Sequence, residues 1–365
     1  MGTSGATMLA MGLARVPLAL VVVASGCRAI LGFERGYLEA PPDTGAEVQP
    51  SPDATDAVEA SVDRPDADCP VGECARPAPM PFAAWVAGAT GTDGRIYAVG
   101  TDAKTSYAAV YDPGTNRWTS LPPMPTRRVP ALVTLPGNRI AAIGGFIGGV
   151  VLSTVEIFDV GLNRWSTGPS LPEPRYGHGV ASTSDGRVFV VGGVSEAQVA
   201  VDTVFVLTGS SWTTASPMPS TRWGQALVAA PDGSLYVLAG QQGNEIYLDT
   251  IWRRSPSSGQ WETLLSTVKP RRRMVWRGVY EAGRVWVPGG ADPALNSLGF
   301  TEVLDPLTGT LETLPTDLNT PRSDQGVATA GGRVYVFGGC GQPCKDPIAS
   351  VEVYVPSRGE WLASH

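Results

Sequence analysis

The sequence predicts an all-β fold, a six-bladed β-propeller with four antiparallel strands per blade over residues 80–365. Three observations carry the prediction. A short apolar strand recurs six times, ending in paired glycines in four copies and in Gly-Thr or Ala-Gly in the other two. A tryptophan follows five of the six pairs. The composition is rich in turn formers, with 44 Gly and 32 Pro in 365 residues and only 17% charged side chains, which favours many short strands over long helices.

The six copies read "GRIYAVGT", "NRIAAIGG", "GRVFVVGG", "GSLYVLAG", "GRVWVPGG" and "GRVYVFGG". Their glycine pairs begin at Gly100, Gly144, Gly192, Ala239 (the weakest copy), Gly289 and Gly338, spaced by 44, 48, 47, 50 and 49 residues. A period near 47 marks a repeat architecture. Within the third copy, "GVAST" is a strand of small residues, Asp185-Gly186 a tight hairpin turn, and "RVFVV" a buried strand. "DTVFVL" and a strand opened by Trp212 complete four, the content of a propeller blade. First strands are poor in bulk ("ALVTL", "GVAST", "ALVAA", "GVYEA", "GVATA"), as convergence on a central channel requires. The glycine pairs let the backbone leave the sheet sharply and approach the next blade. Trp118, Trp165, Trp212, Trp261, Leu311 and Trp361 fill the space between blades. Six copies leave no segment for a seventh.

Ahead of the propeller lie two other segments. Residues 1–26 read as a signal peptide, Arg15 followed by the apolar run "VPLALVVVA", too short to cross a bilayer as a helix. Residues 27–79 read as an extended acidic, Pro-rich tether. Eleven acids face two bases between Glu34 and Cys74, so the net charge of −7 belongs to this stretch. From Ala75 onward charges balance, and no basic stripe points to nucleic acid. "VVASGC" resembles the lipobox of bacterial lipoproteins, with alanine at position 24 where leucine is usual. The resemblance implies that Cys27 is lipidated and that the protein is an exported outer-membrane or cell-surface lipoprotein. An ordinary secretory signal is the alternative, and either route exports the chain. Cys69, Cys74, Cys340 and Cys344 are then disulfide candidates. Two local loops, or cross-pairing that clasps blade 6 to blade 1, are both compatible with their positions. A four-thiolate zinc site is a distant third.

The double glycines, the aromatic-Asp of "VYDPGTNRW" and "IFDVGLNRW" and the tryptophans together resemble the kelch repeat across residues 80–365. Thr101, Ala239, Leu311 and the "FVL" of blade 3 depart from its pattern. The resemblance implies a rigid binding scaffold. Arginine precedes the first strand of five blades at Arg127, Arg175, Arg222, Arg272 and Arg322, 17, 17, 17, 17 and 16 residues before the glycine pair. Blade 1 has Ala83 there. These arginines are expected to ring one mouth of the channel, joined by Tyr176, His178 and Trp223. Five planar guanidiniums on one rim suit carboxylate or phosphate, much as equivalent arginines in kelch substrate adaptors take acidic peptides. The competing reading is that each arginine bonds loop carbonyls of the neighbouring blade.

The expected function is therefore non-catalytic binding of an envelope protein or an anionic or glycan ligand, with no cofactor or metal. With only His178 and His365 available, a copper site like that of galactose oxidase is not supported. The alternative is a carbohydrate-active enzyme resembling the kelch-type epimerases, in which Glu173 or Asp324 acts beside the arginines. A structural spacer is the third possibility.

Overall fold

The structure, a computed structural model, describes residues 75–102, 104–243, 246–265, 277–342 and 346–364. The signal segment, most of the tether, and Cys27, Cys69, Cys74, Cys344, Arg272 and His365 lie outside the described residues. Six four-stranded antiparallel sheets follow one another along the chain, each ordered first to fourth strand outward. Blade 1 has strands Trp85–Thr90, Ile96–Thr101, Ser106–Asp112 and Arg117–Ser120. Blade 3 has Gly179–Ser182, Val188–Val191, Val204–Thr208 and Ser211–Ala215, and blades 2, 4, 5 and 6 repeat the plan. The second strand of blade 2, Arg139–Ile147, runs on to pair with Val150–Val151, and blade 4 carries an extra ribbon, Gln241–Gln242 with Ile246–Tyr247. This is the six-bladed propeller that the repeat predicts.

The core is six apolar clusters, one at each blade-to-blade seam. Between blades 3 and 4, Phe189, Val191 and Val204 meet Leu227, Leu235 and Trp252. The repeated tryptophans pack against these clusters as expected: Trp118 at the 6–1 seam, Trp165 at 1–2, Trp212 at 2–3 and Trp261 at 3–4, with Leu311 at 4–5 and Trp361 at 5–6. Four of them also donate their indole N–H to the linker running into their own blade: Trp118 to Ala78 O (2.9 Å), Trp165 to Pro122 O (2.8 Å), Trp212 to Pro169 O (2.9 Å) and Trp261 to Ser216 O (3.2 Å).

The glycine pairs solve a steric problem between blades. Gly192 has φ 61° and Gly193 φ 96°, a region side chains rarely enter. A Cβ on Gly192 would clash with the carbonyl oxygen of Arg222 in the next blade. Without one, the N–H of Gly193 donates to that same oxygen at 2.9 Å. Gly145 to Arg175, Gly290 to Arg322 and Gly339 to Ala84 repeat the bond. The pair is a backbone hinge pin from each blade to the next.

All four strands of blade 1 come from one stretch of chain, so no strand is shared between the two ends of the propeller. Residues 76–84 close the ring instead. They act as the linker that a preceding blade would supply: Ala78 accepts from Trp118 and donates to Asn116, Met80 N–H donates to Ala349 O, and Met80 and Ala84 fill the 6–1 cluster. The last residues assigned to the tether from sequence therefore already belong to the propeller.

Candidate functional site

The loops from fourth strand to next first strand, and from second to third strand, share one face around the channel. The structure turns the predicted arginines away from it. Arg175, Arg222 and Arg322 are 1%, 0% and 0% exposed, and in blade 2 the buried residue is Arg128 (0%), not Arg127. Each guanidinium folds back into its own blade. Arg222 donates to Ala239 O and Thr250 O at 3.0 and 2.9 Å. Arg322 donates to Ser350 O at 3.0 Å and Glu352 Oε1 at 2.6 Å. Arg128 donates to Gly144 O and Glu156 Oε2, both at 2.6 Å. Arg175 reaches Thr203 Oγ1 at 2.8 Å and Glu173 Oε2 at 2.6 Å.

One position on the third strand decides how each buried cation is met. It is Glu156 in blade 2 and Glu352 in blade 6, giving ion pairs. In blades 3 and 4 it is an aromatic ring, Phe205 5.2 Å from Arg175 and Trp252 3.9 Å from Arg222. The expectation of an open arginine rim is thus corrected for Arg175, Arg222 and Arg322: buried carbonyls of the glycine turns need donors, which Arg128, Arg222 and Arg322 supply, while Arg175 is held by Pro174 O, Glu173 and Thr203. Arg127 is half-buried, and its charge acts on Asp102 of blade 1. The repeat spacing pointed to Arg127, whereas the arginine that turns inward is Arg128, 16 residues before Gly144 as Arg322 is before Gly338.

His178 is buried, 3% exposed, and belongs to the scaffold too. Its counterparts Gln225 and Gln325 donate to the preceding blade, to Val191 O and Pro288 O, both at 2.8 Å. The imidazole faces the matching Ile143 carbonyl, which favours its protonated form slightly, yet neither ring nitrogen reaches hydrogen-bond geometry. Burial, with Arg277 and Arg175 nearby, pulls its pKa down to about 3, so the ring is neutral at physiological pH.

The residue that does occupy the channel mouth is Arg277. Strand register aligns it with Ala87, Ala131, Gly179, Ala226 and Gly326, all small. From blade 5 its Nη2 crosses the channel to Pro130 O of the opposite blade 2, at 2.7 Å. Asp324 of blade 6 stands in its field. Burial pushes Asp324 up to about 6 against the pull of Arg277, and burial lowers Arg277 to about 10 against the pull of Asp324. Both retain partial solvent access. Asp324 has φ 54°, where the equivalent Gly177 and Gly224 have 62° and 65°. A carboxylate held in left-handed backbone, beside a cation in the mouth, combines strain with a shifted pKa. The sequence signal for Arg277 was one bulky residue in a column of glycine and alanine, legible only once strand register is known.

Tyr176 and Trp223 lie on the same face. With Val151 and Val194 they form a seventh buried cluster above the blades, flanked by Phe146, Ala200, Tyr247 and Leu295. Cys340 is buried and disulfide-bonded, and its partner lies outside the described residues. Among the described residues no cluster of His, Cys, Asp and Glu could hold a metal ion, and no helix is long and apolar enough to cross a membrane.

Fold and repeat together define a six-bladed β-propeller carrying kelch motifs: residues 127–172 and 321–362 match the Kelch motif family. No curated protein matches the chain. A solved structure described as "Structure of YjhT" is similar, with a TM-score of 0.67 and 14% identity over 79% of this chain and 99% of that one. Identity that low establishes a shared fold.

Proposed function

We propose that this protein is an exported, lipid-anchored binding propeller that takes an anionic group, carried by an envelope protein or glycan, at the channel mouth. The observation that supports it is Arg277, a cation placed where every other blade has glycine or alanine, with Asp324 beside it. Guanidinium geometry suits a carboxylate or phosphate, and the partly enclosed mouth strengthens such a contact over open water. The anionic-ligand reading passes from the repeat arginines to this one residue. Titration of purified protein with an acidic peptide and a uronate oligosaccharide, at low and high salt, tests it. Binding to either that is weakened by salt and lost in Arg277→Ala supports the site; equal binding by both proteins rules it out. Export and anchoring rest on "VVASGC". Absence of palmitate incorporation in the parent protein would remove the anchor from the proposal, and incorporation that survives Cys27→Ser would remove Cys27 as its site.

A second reading is favoured by Asp324 alone. A carboxylic acid titrating near 6 is poised for general acid–base work on a sugar. Turnover of a reducing sugar that disappears in Asp324→Asn is its signature. Glu173 is less suited, being held by Arg175 at 2.6 Å.

A further inference from the structure

Five large apolar side chains are strongly exposed among the described residues, and three of them occupy one repeated position. Val150, Val199 and Ile246 are 57%, 55% and 60% exposed. Each lies five residues before the start of its blade's third strand, at Val155, Val204 and Ile251. The same count reaches Asn296 in blade 5 and Asp346 in blade 6. The apolar choice is therefore confined to three adjacent blades.

Each residue is held up by a small hairpin. Val150 pairs with Ile147 across the Gly148-Gly149 turn, Ile246 pairs with Gln242, and the Val199 carbonyl accepts from Ser195 N–H. The hairpins stand on the seventh cluster, where Phe146 packs 5.0 Å from Tyr176, and Tyr176 lies 6.4 Å from Trp223. An aromatic floor thus carries three aliphatic tips that are exposed among the described residues. Charge on the same loops has one sign. Among the described residues of 146–154, 194–203 and 241–250 the charged side chains are Glu196, Asp202 and Asp249, with no lysine or arginine.

We propose that the hairpin tips of blades 2, 3 and 4 form a docking surface for a protein segment that presents aliphatic side chains flanked by lysine or arginine. The aliphatic trio supplies the apolar contact, and the acids select and steer a basic partner. This surface is distinct from the channel mouth, and its ligand carries the opposite charge.

The test uses purified full-length protein and a labelled synthetic peptide alternating leucine and lysine. A leucine–glutamate peptide and a serine–lysine peptide serve as comparisons. The triple variant Val150→Ser/Val199→Ser/Ile246→Ser removes the aliphatic contact without changing charge, and an unchanged melting temperature shows that it remains folded. The surface predicts that the leucine–lysine peptide binds and the other two do not. Binding should fall at least about tenfold in the triple variant and fall with salt or in Glu196→Gln. Arg277→Ala should leave it unaltered, so failure here and failure at the channel mouth are read separately. Equal binding to the triple variant, or preference for the glutamate peptide, overturns the proposal. So does retention on phosphatidylcholine–phosphatidylglycerol vesicles that depends on the three residues, which assigns the tips to a membrane. A dimer in solution that the triple variant abolishes overturns it in favour of a second copy of the chain.

Discussion

Removing one carboxylate from the blade 6 interior distinguishes a scaffold arginine from a ligand-binding one. Glu352 and Arg322 have no exposed side-chain surface and meet at 2.6 Å. Glu352 also accepts from Asn319 N–H (2.6 Å), Asn319 Nδ2 (3.0 Å) and Thr320 N–H (3.0 Å). In Glu352→Ala the backbone N–H groups of Asn319 and Thr320 lose this acceptor, and a buried cation is left without its counter-charge. Breaking a buried pair in this way costs about 3–5 kcal/mol. For a domain of this size that is a drop in melting temperature of roughly 5–8 °C. The double variant Arg322→Met/Glu352→Leu removes the stranded charge and should cost well below the sum of the two single changes. Urea and thermal unfolding followed by tryptophan fluorescence read the parent, Glu352→Ala, the two single changes and the double variant. A loss under about 1 kcal/mol for Glu352→Ala would refute the buried pair and return Arg322 to the solvent-facing rim.

Two further outcomes follow from the same packing. His178→Gln should leave stability within about 1 kcal/mol of the parent or raise it, because the amide can donate to Ile143 O as Gln225 does to Val191 O. It should also reduce acid sensitivity. The folded pKa of about 3 lies below the ordinary 6.5, so the unfolded chain binds the extra proton and stability is lost as pH falls through that window; an unaltered pH profile in unfolding experiments would refute this. Ala239, with φ 55° in place of a glycine, should give a gain of about 0.5–1 kcal/mol as Ala239→Gly, and a lower urea midpoint would contradict the strain.

Individual residues show how far the sequence could be read. Trp165 and Trp212 announce their roles because a large apolar ring in a fixed phase of the repeat can only lie between blades. Gly192 and Gly193 announce a close backbone approach because no side chain fits. The arginines misled. A guanidinium before a strand looks the same whether it faces solvent or turns inward, and burial at Arg322 depends on Glu352, thirty residues away in a different strand. His178 misled likewise, since its neighbour Ile143 belongs to the preceding blade.

By itself the sequence determined the blade count, the strand order and the inter-blade packing, because these depend on short-range alternation and a period near 47 that each copy repeats. Only the tertiary structure decided which side chains meet across the ring. Arg277 touches Pro130 from 147 positions away, and Val150, Val199 and Ile246 form one surface only because three blades stand side by side. Local pattern dictates the elements. Packing the blades side by side around the ring brings side chains of separate repeats together, and both candidate surfaces are made there.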